Sequence, residues 1–369
     1  MRILCITDKL YTESETALKG IFENHILKYC ECYMVYFTKD SKEAISNDTK
    51  LIFPYSTKHR NFVRTLLRLN YNLNDFDLII VRNFYKVAKQ ILSFSQKIVF
   101  WETFPHDYRR IYEAKRDKKS VIRKSIEYKI KHYIHKKILE KCLAYMGSTP
   151  HFKNVFYNSL QIPTSYIPNG IDFSLCNLKL IEKNIQQINT PLKLLYIGSI
   201  DKNRQVLEII EAINEVNGDF ILDIFSPSNN SEVDNIKEIT KQNNKIRLNK
   251  SIPFNEIFNI LPKYDIGIGI IPNTPLYSVS SPIKVMEYAS NGVIPLINDL
   301  PEYTRLFDDN NAFFTTFDKR QITNTIESII KMNQNKLIEK KQNLLKLAKE
   351  KLDYQNITKE VYDFFLTLK

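Results

Sequence analysis

The stretch LKLLYIGSIDKNRQVLEIIEAI (192–213) spells a strand, a turn and a helix in immediate succession. Residues 192–200 are apolar almost throughout, the pattern of a strand covered on both faces. Glycine is scarce in this chain, eight in all, so Gly198 at the end of that run is informative. Its missing Cβ lets backbone approach a ligand phosphate closely. A helical pattern follows over 203–217, and Arg204 at its start is well placed for a diphosphate.

The same alternation runs outward in both directions. Upstream, the strand candidates are 2–7, 32–38, 77–83, 97–102 and 142–148; downstream they are 220–227, 245–250, 265–271 and 292–297. Helical patterns separate them, including 230–242, 254–263 and 282–291. Two such series predict an α/β protein of two doubly wound, Rossmann-like domains facing each other across a cleft. Turn signals in IPNGIDFSLCNLKL (167–180) place the linker. The expected division is 1–168 as an N-terminal acceptor-binding domain, 169–352 as a C-terminal nucleotide-sugar domain, and an amphipathic helix over 353–369 packing back on the first. In open α/β sheets ligands bind beyond the carboxyl ends of the strands.

A length of 369 residues suits two cores rather than one. No apolar run reaches 18 residues, so no transmembrane helix is expected. MRILCITDKL enters a strand directly, without a signal-peptide pattern. Five cysteines without a CxxC pair suit a reducing cytoplasm, and Cys30 and Cys32 read as filler. The net charge of +12 is lopsided. Residues 1–165 hold 29 Lys and Arg against 16 Asp and Glu; residues 166–369 hold 24 against 25. The densest basic stretch, 109–141, reads as one or two helices with Ile122, Ile126, Ile130, Tyr133 and Ile134 as an apolar stripe. It is either the solvated side of a core helix or a surface for anionic lipid or a phosphorylated acceptor.

The segment SSPIKVMEYASNG (280–292) has apolar residues at helical spacing, Ile283, Met286 and Ala289. Ser281 suits the cap, Pro282 the first helical position, and Gly292 the C-terminal stop. Lys284 in the first turn opposes the helix dipole. An anion at the helix tip, faced by both, resolves that conflict.

Taken in order, "IPNGID", "LLYIGSIDKNRQVLEIIEAI", "SIPFNEIFNILPKYDIGIGIIP" and "SSPIKVMEYASNGVIPLINDLPEY" resemble the retaining family 4 glycosyltransferases of the GT-B fold over 166–307. The first half is similar only in size and strand pattern. That family shows Gly-Arg-Leu, then Lys-Gly three residues later. Here Gly198 and Ile200 match, Arg204 stands in for the lysine, and Ser199 replaces the arginine. Of the family's two glutamates eight apart, Glu287 matches the second, which bonds nucleotide ribose; Val279 holds the place of the first.

The resemblance implies a retaining, metal-independent glycosyltransferase with no cofactor. It would move a sugar from a nucleotide-diphosphate donor to a hydroxyl of a glycan or lipid-linked acceptor. The catalytic set is then Arg204, Lys284 and His106, and the donor-binding set Gly198, Ser199, Ser281, Pro282 and Glu287. His106, in WETFPHDYRR (101–110), contacts a sugar or makes a local hydrogen bond, and Asp107, Arg109 and Arg110 hold an acceptor phosphate. Bacterial surface polysaccharide such as lipopolysaccharide, O-antigen or capsule is the expected product. The expected location is cytoplasmic, at the inner membrane face through 109–141.

Two other readings stand beside this one. A nucleotide-sugar 2-epimerase of the same build would also hold a diphosphate, although "PNGID" speaks against it. A nucleic-acid-binding protein would explain the basic half, but no RNA-binding motif or paired aromatic strand pattern supports it, so no nucleic-acid partner is expected. His132 and His135 lack a third metal ligand. Asp75-Phe76-Asp77 precedes its apolar strand rather than following it, so it reads as a turn.

Overall fold

A computed structural model describes residues 1–13, 15–58 and 60–368, and the side chain of Asn255 is outside the description. The chain divides into two compact units. Unit 1 is Met1–Asn169 with Val279–Ser281 and Tyr354–Lys369; unit 2 is Gly170–Ser278 with Pro282–Asp353.

Unit 1 holds β1 (Arg2–Leu10), β2 (Glu31–Thr38), β3 (Ile45–Asn47), β4 (Lys50–Pro54), β5 (Leu78–Arg82), β6 (Ile98–Trp101), β7 (Ala144–Gly147) and β8 (Thr164–Tyr166). Their order is β3-β4-β2-β1-β5-β6-β7-β8, parallel except for the β3–β4 pair. Leu4, Ile6, Ile79 and Val81 enter one core layer while Ile3, Cys5, Leu78 and Ile80 enter the other. Covering both faces is why these strands are apolar without alternation. The Tyr354–Leu366 helix lays the Tyr354 ring over Gly20, where a Cβ would come within 2.3 Å of the ring. Strands β3, β4 and β8 escape the sequence reading: β3 and β8 are three residues long with none of their residues buried, and β4 is largely buried but only five residues long.

Unit 2 holds β9 (Leu192–Ile197), β10 (Phe220–Ser226), β11 (Ile246–Lys250), β12 (Ile266–Ile268), β13 (Ile294–Ile297) and β14 (Phe313–Phe314). All are parallel, in the order β11-β10-β9-β12-β13-β14. Read from its first strand this is 3-2-1-4-5-6, the doubly wound order with its switch point between β9 and β12. Gly198 follows the carboxyl end of β9, at that switch point.

One expectation needs correction, and one choice left open above is decided. The Ile283–Ser290 helix is capped by Pro282, one residue later than expected, and no side chain caps it. Ser281 lies one residue outside the cap position, and its Oγ accepts the N–H of Asn169 at 3.0 Å. The basic stretch is two helices, His106–Arg116 and Val121–Leu139, and its apolar stripe is not core: all five residues are exposed.

Candidate functional site

Unit 2 gathers most of the residues named above at the switch point. Gly198 has φ +133°, a conformation that disfavours any side chain. A Cβ there would meet nothing nearer than the Tyr196 hydroxyl at 3.9 Å, so the space over the backbone is open. Ser199 is exposed, and its carbonyl accepts the Tyr196 hydroxyl at 2.8 Å. The following turn is built by Asp201, whose Oδ1 accepts the N–H groups of Asn203 and Arg204, both at 3.0 Å. Asp201 Oδ2 also pairs with the Arg204 guanidinium. Arg204 therefore sits in the turn before the Val206–Asn214 helix, held by Asp201 and not by Glu208 one helical turn on.

The Ile283–Ser290 helix is fixed to the same place by Tyr288. The N–H of Ile197, last residue of β9, donates to the Tyr288 hydroxyl at 3.0 Å. Gly267 in β12 makes room, since a Cβ there would lie 2.3 Å from the Tyr288 ring. This clamp sets Lys284, one turn earlier, above Tyr196. Its Nζ lies 4.3 Å from the Tyr196 ring centroid, has essentially no exposed surface, and has no hydrogen-bond partner among the described residues. Burial, then the nearby Arg204 charge, pull its pKa down to about 7, with Asp201 opposing weakly. An isolated buried ammonium costs several kcal/mol unless something neutralises it. Two cations here share one carboxylate, Asp201, and the first turn of the helix has no side-chain cap.

Glu287 lies one turn beyond Lys284 and is 6 % exposed. Burial raises its pKa to about 7. Ser290 Oγ and Asn291 Nδ2 donate to the Glu287 backbone carbonyl, at 3.0 and 2.8 Å, and its carboxyl has no hydrogen-bond partner among the described residues. Val279, by contrast, is a core residue of unit 1, with its carbonyl accepting from Ser148 Oγ and Thr149 Oγ1. The position that the resemblance gives to a sugar-binding glutamate is structural in this chain.

Unit 1 has its own pocket, about 270 Å³, beyond the ends of β5 and β6 and lined by Lys58, Tyr85, Lys86, Glu102, His106 and His135 among others. His106 opens the His106–Arg116 helix and meets the Phe104 ring edge-on at 5.2 Å. Glu102, unremarked in sequence, is 7 % exposed and accepts hydrogen bonds from Tyr85 (2.8 Å) and Tyr145 (3.3 Å). Burial raises its pKa to about 7, with those tyrosines opposing. Arg109 and Arg110 stand exposed on the helix beyond, against Glu113 and Glu127.

The sequence reading missed Tyr196, Asp201 and Tyr288 as well. Tyr196 could have been found by period-two alternation, two positions before Gly198, and Asp201 by its Asx-turn spacing to Arg204. Asp75 and Asp77 bond the N–H groups of Asn72 and Arg2, in keeping with a turn. Among the described residues no group of three or more His, Cys, Asp or Glu side chains is placed to hold a metal ion, and no helix is long and apolar enough to cross a membrane.

No protein-family model and no curated protein matches the sequence. Solved structures match the fold over its whole length. Sucrose-phosphate synthase from Thermosynechococcus elongatus superposes with a TM-score of 0.75 at 10 % identity, covering 100 % of this chain and 99 % of that one. Anabaena HepE, solved with UDP and glucose, gives 0.67 at 13 %, covering 100 % of both. The α,α-trehalose-phosphate synthase of Burkholderia xenovorans, solved with glucose-6-phosphate, gives 0.68 at 8 %, covering 99 % of this chain and 100 % of that one. The fold is GT-B: two α/β domains with parallel sheets.

Proposed function

We propose that this protein is a retaining, metal-independent glycosyltransferase that uses a nucleotide-diphosphate-sugar. The observation that carries the proposal is Lys284: a buried, unpartnered ammonium beside Arg204, at an uncapped helix start and under open space at Gly198. A diphosphate supplies the missing negative charge, and the helix N-terminus and Gly198 backbone accommodate it. Neighbours of the same fold were solved with UDP and glucose and with glucose-6-phosphate, which fits a nucleotide donor and a sugar acceptor.

In this reading the bond from the anomeric carbon to the diphosphate oxygen breaks through an oxocarbenium-like transition state. The acceptor hydroxyl attacks the same face, and its proton passes to the departing diphosphate. Lys284 and Arg204 stabilise the charge that grows there. Gly198 and Ser199 offer backbone to the phosphates, Ser281 and Pro282 shape the turn before the helix, and Glu287 bonds ribose. His106 and the unit 1 pocket receive the sugar acceptor, with Arg109 and Arg110 near any phosphate it carries. The basic character of unit 1 favours a glycan or lipid-linked acceptor of bacterial surface polysaccharide synthesis, handled at the inner membrane face.

A melting-temperature panel of UDP, GDP, ADP, CMP and TDP tests the donor site. At least one diphosphate raises the melting temperature, and Lys284→Ala or Arg204→Ala removes that rise and lowers turnover about tenfold or more. A panel without any response, or variants that behave like the parent, overturns the assignment. Product analysis by NMR that shows the donor sugar epimerised at C2 without an acceptor replaces transfer by epimerisation.

A further inference from the structure

The Val121–Leu139 helix has two faces that hydropathy alone does not separate, because both carry rings or aliphatic chains. On one face His135 stacks on Tyr85, with ring centroids 3.6 Å apart, and lines the unit 1 pocket. His132 stacks on Tyr157 at 5.0 Å on the same side. The other face shows water Ile122 (80 % exposed), Ile126 (55 %), Ile130 (57 %), Tyr133 (63 %) and Ile134 (48 %). These follow the spacing of a single helical stripe. Only Ile138 and Leu139, at the end of the helix, are buried. Large apolar side chains are stabilised by leaving water, so a stripe of four isoleucines and a tyrosine is a surface that favours being covered.

Charge identifies the cover. Residues 109–141 contain 13 Lys and Arg against 4 Asp and Glu. All four acids are engaged: Glu113 with Arg109, Asp117 with Arg116, Glu127 with Lys124 and Lys131, and Glu140 with Lys137. Arg123 and Lys129, beside the stripe, and Lys118 and Lys119, in the turn before it, are exposed. None of these four has an ion pair among the described residues. An apolar stripe bordered by uncompensated cations matches the interface of an anionic bilayer, where acyl chains take the isoleucines and headgroup phosphates the cations. A protein partner of ordinary composition offers no such excess of negative charge.

We propose that the Val121–Leu139 helix docks flat on an anionic lipid membrane through Ile122, Ile126, Ile130, Tyr133 and Ile134. Its opposite face then holds the wall of the unit 1 pocket within one helix diameter of the headgroups, where the polar head of a lipid-linked acceptor can enter. The proposal deepens the transferase reading and depends on it for this purpose, but its test needs no turnover.

The test is flotation of the full chain with vesicles of phosphatidylcholine alone or mixed with phosphatidylglycerol. The protein floats with the mixed vesicles only, and added salt releases much of it. Ile126→Asp with Ile130→Asp lowers binding by about tenfold or more, and Arg123→Ala with Lys129→Ala lowers it about fivefold per cation. Both variants keep the parent's melting temperature, because the changed residues are exposed, and keep its response to nucleotide diphosphates. Binding that ignores lipid charge, an aspartate variant that floats like the parent, or a stripe that proves to be a dimer contact by sedimentation overturns the proposal. Vesicle binding without a nucleotide response would leave the docking face intact and remove the transferase reading instead.

Discussion

Unit 2 buries two lysines, one near each end of its sheet, and treats them in opposite ways. Lys341 is 1 % exposed and pairs with Asp265, just before β12, at 2.7 Å. Its Nζ also reaches the carbonyls of Asn184 (3.3 Å) and Gln187 (3.1 Å), and Asp265 accepts the backbone N–H of Lys193 at 3.0 Å. Lys284, at the carboxyl end, has an aromatic face and no acceptor. Desolvation lowers the pKa of both lysines, but only Lys341 has the carboxylate and the hydrogen bond that oppose it strongly. Among the described residues the folded chain completes one charge by itself and gives the other no acceptor. Buried charge that is fully paired belongs to architecture; buried charge left over marks where a ligand completes the structure.

The largest effect expected from this contrast is on stability. Lys341→Met leaves Asp265 buried and unpaired, which costs about 3–5 kcal/mol, read as a lower urea midpoint. Lys284→Met removes a buried cation that Asp201 and the Tyr196 ring compensate only weakly, so stability holds or rises while nucleotide binding is lost. The pH dependence of folding separates them further. The unfolded chain keeps the Lys284 proton up to about its ordinary 10.5, whereas the folded chain releases it near 7. Between those values the unfolded state binds more protons, so this group makes stability rise with pH. Lys284→Met abolishes that rise. If the two methionine variants lose stability equally, the two lysines do the same work and the contrast fails.

Nucleotide affinity sharpens the contrast next. In the proposed site a protonated Lys284 binds diphosphate and a neutral one does not, so affinity should fall as pH rises above about 7, by up to about tenfold per unit. Glu287 titrates from the other side: its carboxylate, the better acceptor for ribose hydroxyls, is lost as pH falls through about 7. Calorimetric titration from pH 5 to 9 should trace a bell. Lys284→Arg, always charged, flattens the alkaline limb, and Glu287→Gln flattens the acid limb. A limb that survives its own substitution assigns it to some other group.

How much of this was legible in sequence differs between the units for a physical reason. In unit 2 the residues proposed to face a ligand sit in one βα element and one helix, so Gly198, Arg204 and Lys284 stand out by their local setting, and Glu287 through the family resemblance. Ten of the fourteen strands among the described residues were legible, because double-sided burial leaves uninterrupted apolar runs, whereas β4 was missed although it is largely buried. Glu102 was not, because its meaning lies in Tyr85 and Tyr145, 17 and 43 residues away, and no local pattern records such a meeting. The stripe from Ile122 to Ile134 was visible as periodicity, but periodicity does not say which face the fold covers. Ser281 misled for a related reason: a serine before a proline is a good local cap, and a tertiary hydrogen bond from Asn169 took its hydroxyl.

The smallest effect concerns Glu287, and it tests whether the comparison extends from charge to hydrogen bonding. Its side chain is largely buried and its carboxyl has no hydrogen-bond partner among the described residues, so a ligand donor should complete it too. The ribose hydroxyls of the nucleotide are that donor in the reading above. One such bond to a charged acceptor contributes about 1.5–3 kcal/mol, and replacement by an amide, which still accepts, costs less than removal. Glu287→Ala should therefore weaken the diphosphate about tenfold or more, and Glu287→Gln by a few-fold. The discriminating ligand is the 2′,3′-dideoxy diphosphate, which lacks both hydroxyls. It should bind the parent and the alanine variant alike, because the group removed from the protein no longer has anything to bond. If instead the alanine change weakens the dideoxy and ordinary nucleotides by the same factor, Glu287 acts by shaping the helix around Lys284, and the two orphaned groups reduce to one.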